Sequence, residues 1–111
     1  MTKVVIQKRN NYITTVECDG HTNYGEKGED IVCAALSSVV QTALLGLLAV
    51  VQVNVDIKRN DKKGYLKFSL NPDMSAEEKD KCELILETML CGISDLHIGY
   101  SDFIELEVKN S

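Results

Sequence analysis

The sequence predicts an α+β domain, a mainly antiparallel sheet with two helices packed on one face, in the order ββαββαβ. Three observations carry this expectation. Short runs with apolar residues at every second position come in pairs around turn-forming residues, as strands of hairpins do. Two longer segments replace that alternation with helical spacing. The strands are also grouped, whereas an α/β chain would alternate them singly with helices. At 111 residues the chain suffices for one core, so residues 1–111 are expected to form a single domain.

The elements follow in order. VVIQKR and YITTVEC flank Asn10-Asn11, a turn-prone pair, and read as a hairpin. A polar stretch from Asp19 to Asp30 contains Gly20, Gly25 and Gly28; loops of this length are usually functional or mobile. Asp30 is a candidate N-cap, which would put Cys33 in the first turn of a helix running to about Ala49. That helix is apolar nearly all round, which points to burial between the sheet and another surface. Val51, Val53, Val55 and Ile57 then alternate with polar residues, the pattern of a half-buried strand. Asn60 to Gly64 turn the chain into YLKFSL, and Asn71-Pro72-Asp73 breaks that strand. Ser75 and Glu78 form a capping box. Behind it Cys82, Ile85, Leu86, Met89, Leu90 and Ile93 share one face of a helix ending between Gly92 and Leu96. FIELEVK supplies the last strand.

Composition narrows the function. Hydrophobic residues at 44% and charged residues at 26% fit a globular chain. The net charge of -5 disfavours direct nucleic-acid binding, where Lys and Arg neutralise phosphates, and favours a basic partner. The uncharged run from Ile31 to Val55 could span a bilayer by length, but Ser37, Ser38, Gln41 and Thr42 place a polar patch on it, so no membrane span is expected. MTKVVIQKRN has no secretory character, and the location expected is the cytoplasm. There the four cysteines would be free thiols, metal ligands or a catalytic thiol rather than disulfides.

Cys33 and His21 are the residues through which chemistry would run. A thiol becomes nucleophilic as its thiolate, and a helix N-terminus with a nearby imidazole favours that form. Asp30 could cap the helix or orient His21. Ser37, one turn after Cys33, could hydrogen-bond the thiol, the imidazole or a substrate carbonyl, while Ala34 and Ala35 leave space for a peptide. Gly20 and Gly28 would serve as hinges of the loop between. Plainer readings stand beside this one: Cys33 as packing, His21 as a solvated loop residue, or Cys18, His21 and Cys33 as metal ligands, although the last lacks paired Cys-x2-Cys knuckles. Cys82 and Cys91 read as core. His97 reads as structural or exposed.

Gly20-His21, Gly28, Asp30 and Cys33-Ala34-Ala35-Leu36-Ser37 together resemble the signature of the ribosomal-processing cysteine protease family Prp, and the resemblance extends over essentially the whole chain. Thr22 stands where that family more often has Ala. The resemblance implies a cofactor-free bacterial cysteine endopeptidase, homodimeric, with a mobile loop between His and Cys. Its substrate would be the N-terminal extension of a basic large-subunit ribosomal protein, the twenty-seventh. On the matching positions it implies Cys33 as nucleophile and His21 as general base, with Asp30 and Ser37 in support. The alternative is a non-catalytic, ribosome-associated module that grips a basic tail.

Overall fold

A computed structural model describes residues 1–20 and 29–111, and for Glu29 and Asp30 the backbone alone. Strands β1 (Thr2–Arg9) and β2 (Tyr12–Asp19) precede helix α1 (Glu29–Leu45), which continues as a π-helical segment, Gly46–Val51. Strands β3 (Val55–Asn60) and β4 (Tyr65–Leu70), helix α2 (Ala76–Gly99) and strand β5 (Ile104–Asn110) complete the order ββαββαβ. The five strands lie in the order β3-β4-β2-β1-β5. Every pairing is antiparallel except that of β1 with β5.

The first hairpin turns on Asn10 and Asn11, both at positive φ (52° and 69°), with Arg9 opposite Tyr12. Asparagine tolerates this region better than most residues, which is why a two-residue turn forms here. One residue later in the ladder the register slips between Gln7 and Lys8. The Ile13 N–H donates at the slip to the Glu83 carboxylate of α2, at 3.1 Å to the nearer oxygen. This ties the bulge to the helix layer.

Alternation along the strands sends Val4, Ile6, Ile13, Val16, Phe68 and Ile104 into the core. There they meet Leu36, Val40 and Leu47 from the first helix, and Leu86 and Ile93 from the second. Ser75 caps α2 as expected, with Glu78 N–H donating to its Oγ and the Glu78 carboxylate accepting the Ser75 N–H.

Several expectations are corrected. Among the described residues α1 runs from Glu29, so Asp30 lies inside the helix rather than capping it, and Cys33 stands more than one turn into it. An acidic residue is favoured both at a cap and in a first turn, so the sequence does not separate the two. Val51 belongs to the π-helical segment, which ends at Gln52 in the left-handed region (φ 66°). β3 therefore starts only at Val55, and as an edge strand it leaves most of its side chains exposed. α2 runs through Gly92 to Gly99, because Gly92 serves a close helix crossing: a Cβ there would sit 3.2 Å from Val39 Cγ1. α1 and its π-helical continuation are buried on one side only, with Ile31, Leu45 and Val50 exposed by 75%, 63% and 78%. Cys82 is core, but Cys91 is exposed.

Candidate active site

Cys33 lies on the sheet side of α1, one turn in from its start, and is 7% exposed. The field of a helix terminus falls off within its first turn, so the helix favours the thiolate less than a first-turn position would. What the sulfur meets instead is a side chain. Thr2 Oγ1 lies 3.0 Å from Cys33 Sγ in a buried contact. Thr2 is placed there by β1, whose first residue pairs with Ile104 of β5 and donates its N–H to Phe103 O at 2.9 Å.

Both residues open onto a cavity of about 270 Å3, lined also by Cys18, Ala34, Ser37, Gln41, Arg59, Asp61 and Tyr65. Four parts of the chain thus meet here: the start of β1, the end of β2, the first turns of α1 and the β3–β4 hairpin. A larger concavity of about 770 Å3 lies at the other end of the strands, around the Asn10 turn and Pro72. Among the described residues it is lined by no cysteine or histidine, whereas the smaller one holds Cys33.

The polar side of α1 is organised by a chain of hydrogen bonds. Gln41 Nε2 donates to Ser37 Oγ at 2.6 Å, Arg59 Nη2 donates to Gln41 Oε1 at 3.2 Å, and Arg59 Nε donates to Asp61 Oδ1 at 2.9 Å. Arg59 fixes which end of the Gln41 amide faces Ser37. Because Ser37 accepts from Gln41, its own proton remains to be donated elsewhere. Across the cavity, Tyr65 donates to Glu17 at 2.6 Å, and this bond chiefly pushes the Tyr65 phenol up to about 12. Burial pushes the Cys18 thiol up to about 12 as well, with Glu17 adding to the effect. Cys18 is therefore protonated at neutral pH.

Of the residues expected to form a site, the structure brings Cys33 and Ser37 to one cavity with Ala34. His21 and Gly28 lie outside the described residues, as does the Asp30 side chain. Gly20 is described, at φ 117°, and a Cβ there would lie 2.4 Å from Met1 O and 3.3 Å from Thr2 Cα. The strand end that leads into His21 thus packs against the residue that binds the Cys33 sulfur. Sequence reasoning missed Thr2, Arg59 and Asp61, which come to the site through strand pairing. It named Gln41 only as part of a polar patch, though its spacing of four from Ser37 is the readable signal.

The sequence profile of the family Cysteine protease Prp matches residues 1–105. The chain belongs to that family. It is 32% identical over 97 residues to the Ribosomal processing cysteine protease Prp of Staphylococcus aureus, covering 87% of this chain and 88% of the relative. Two solved structures of the S. aureus Prp protease share the fold. One, in complex with a substrate peptide, superposes with a TM-score of 0.86 at 29% identity, over 98% of this chain and 100% of that one. The other, with a covalently linked product peptide, gives 0.83 at 30% identity over the same shares. As a Prp-family member the chain is a cysteine protease, which removes the reading of a non-catalytic module. Its five-stranded sheet and two helices are those of the Prp structures.

Proposed function

We propose that this protease removes the N-terminal extension of a basic large-subunit ribosomal protein, the twenty-seventh, during ribosome maturation. Cys33 is the nucleophile and His21 the general base. The observation that carries the assignment is the 3.0 Å contact of Cys33 Sγ with Thr2 at a cavity, together with Gly20 packed on that same Thr2 immediately before His21. The other cysteine at the cavity, Cys18, is held as the thiol.

In the reaction His21 takes the Cys33 proton and the thiolate attacks the scissile carbonyl. His21 then protonates the leaving amine, and water hydrolyses the thioester. Ser37, with a proton to donate, is suited to hydrogen-bond the substrate carbonyl or the thiolate, and Asp30 to orient His21. Gly20 and Gly28, the hinges expected from the sequence, flank the part of the chain that carries His21. The net charge of -5 suits a Lys/Arg-rich substrate, and the S. aureus relative is described as a ribosomal processing protease bound to a substrate peptide.

Free thiols at Cys18, Cys33, Cys82 and Cys91 fit a reducing cytoplasm. A homodimer that covers Ile31, Leu45 and Val50 is in keeping with the apolar exposure of α1, and sedimentation of the purified chain measures it. The substrate assignment is tested by incubating the extended ribosomal protein with the enzyme and identifying the new N-terminus by mass spectrometry. Cleavage by the native chain and none by Cys33→Ala or His21→Ala is expected. An intact substrate with the native chain refutes the assignment.

A further inference from the structure

We propose that the Thr2 hydroxyl is a working part of the catalytic centre: it donates a hydrogen bond to Cys33 Sγ as that sulfur ionises, and so favours the thiolate. Thr2 is the one buried polar side chain among the described residues, 6% exposed. A buried hydroxyl is costly unless it is hydrogen-bonded, and an apolar β-branched residue at the start of a strand would carry no such cost. The partner that compensates this one is the Cys33 sulfur, at 3.0 Å.

The contact is asymmetric between the two protonation states. With a neutral thiol either group can donate, and the bond is weak. Once the thiol proton has passed to the base, Thr2 alone has a proton to give, and a bond to an ionised acceptor is roughly twice as strong as a neutral one. The hydroxyl keeps its own proton throughout. A hydrogen bond that favours the charged form lowers the pKa of the group that bears the charge. This matters because Cys33 sits one turn inside α1, where the helix terminus contributes less. Among the described residues lining the cavity, the other ionisable groups are Cys18 and Tyr65, both held protonated, and Arg59 and Asp61, which are bonded to each other at 2.9 Å.

Thr2 is also held for the task. Its N–H is bonded to Phe103 O, and Gly20 leaves no room between itself and the Met1 carbonyl. The hydroxyl is thus presented by backbone fixed on two sides.

The inference rests on Cys33 being the nucleophile, but its test needs no substrate. The rate of Cys33 alkylation by iodoacetamide is followed against pH in the native chain, Thr2→Val, Thr2→Ala and Thr2→Ser. Tryptic peptide 28–58 contains Cys33 and no other cysteine, so mass spectrometry reads this thiol alone. Thr2→Val and Thr2→Ala are expected to raise the apparent pKa by about one unit, a tenfold loss of thiolate below it. Their rates should rejoin the native rate at alkaline pH, and Thr2→Ser should stay near native. Native titration in both Thr2→Val and Thr2→Ala overturns the proposal. A shift in Thr2→Ser as large as that in Thr2→Val also overturns it, because packing and not the hydroxyl would then be responsible. Failure of the native chain to cut the ribosomal substrate would count against the substrate assignment and leave this titration standing.

Discussion

Replacing Gly20 by alanine puts a methyl group where two independent features exclude it. The added Cβ would lie 2.4 Å from Met1 O, and the neighbour is backbone, which cannot swing aside as a flexible side chain does. The residue also sits at φ 117°, outside the regions open to L-residues. Holding a non-glycine residue in such a conformation costs about 1–3 kcal/mol. Relieving the overlap requires the start of β1 to move away by roughly 1 Å, the gap between 2.4 Å and the 3.4 Å at which ordinary contact begins. Such a move separates Thr2 from Cys33. For a domain of this size each kcal/mol lowers Tm by about 4 °C, so a fall of ~4–12 °C is expected. Peptide cleavage should fall further than the unfolded fraction explains, since the folded variant has lost its Thr2 contact. Thermal melts and cleavage rates at a temperature where both proteins are folded provide the assay. Gly99→Ala is the control: nothing lies within 4 Å of its Cβ, and helix propensity alone favours alanine by about 1 kcal/mol. Native Tm and native cleavage in Gly20→Ala would refute the argument.

Other outcomes follow from the same geometry. Ser75→Ala removes the hydroxyl half of the α2 capping box and should cost about 0.5–2 kcal/mol in urea unfolding without changing cleavage. In absorbance titration, Tyr65→Phe should remove a phenol that ionises near pH 12; because its folded pKa is raised, the Tyr65–Glu17 contribution is complete below pH ~10 and fades between ~10 and ~12. Cys18 should alkylate far more slowly than exposed Cys91 at pH 8, as tandem mass spectrometry of the labelled peptides would show. Gln41→Ala breaks the link from Arg59 to Ser37 and should lower cleavage several-fold while shifting stability by less than ~1 kcal/mol, as a partly exposed position allows.

Local chemistry made much of this fold readable. The Asn10-Asn11 turn, the Ser75 box and the alternation of Ile104 and Leu106 each express a rule that operates within a few residues. The errors fell where a distant neighbour decides. Gly92 looked like a helix end because its reason for being glycine is Val39, on another helix. Val51 and Val53 alternate as a strand would, yet Val51 completes the π-helical segment, and the Val53 N–H bonds to Leu47 O. Cys91 stands nine positions after Cys82, which is about two and a half turns of helix, so it faces away from the buried stripe. At the site, Ser37 was legible from its spacing to Cys33, whereas Thr2 carries no local signal. Its partner is thirty-one positions away and reaches it only when β1 has paired with β5.

That last dependence links folding to reactivity. β1 lies between β2 and β5, and Thr2 at its start pairs with Ile104 of β5. β5 is the final element of the chain, so the strand that fixes the start of β1 comes from its C-terminal end. The same parallel pairing that completes the sheet also holds the Thr2 hydroxyl at the Cys33 sulfur. Perturbation of Ile104, which pairs with Thr2 across the β1–β5 seam, should therefore change the rate of Cys33 alkylation as well as the melting of the domain.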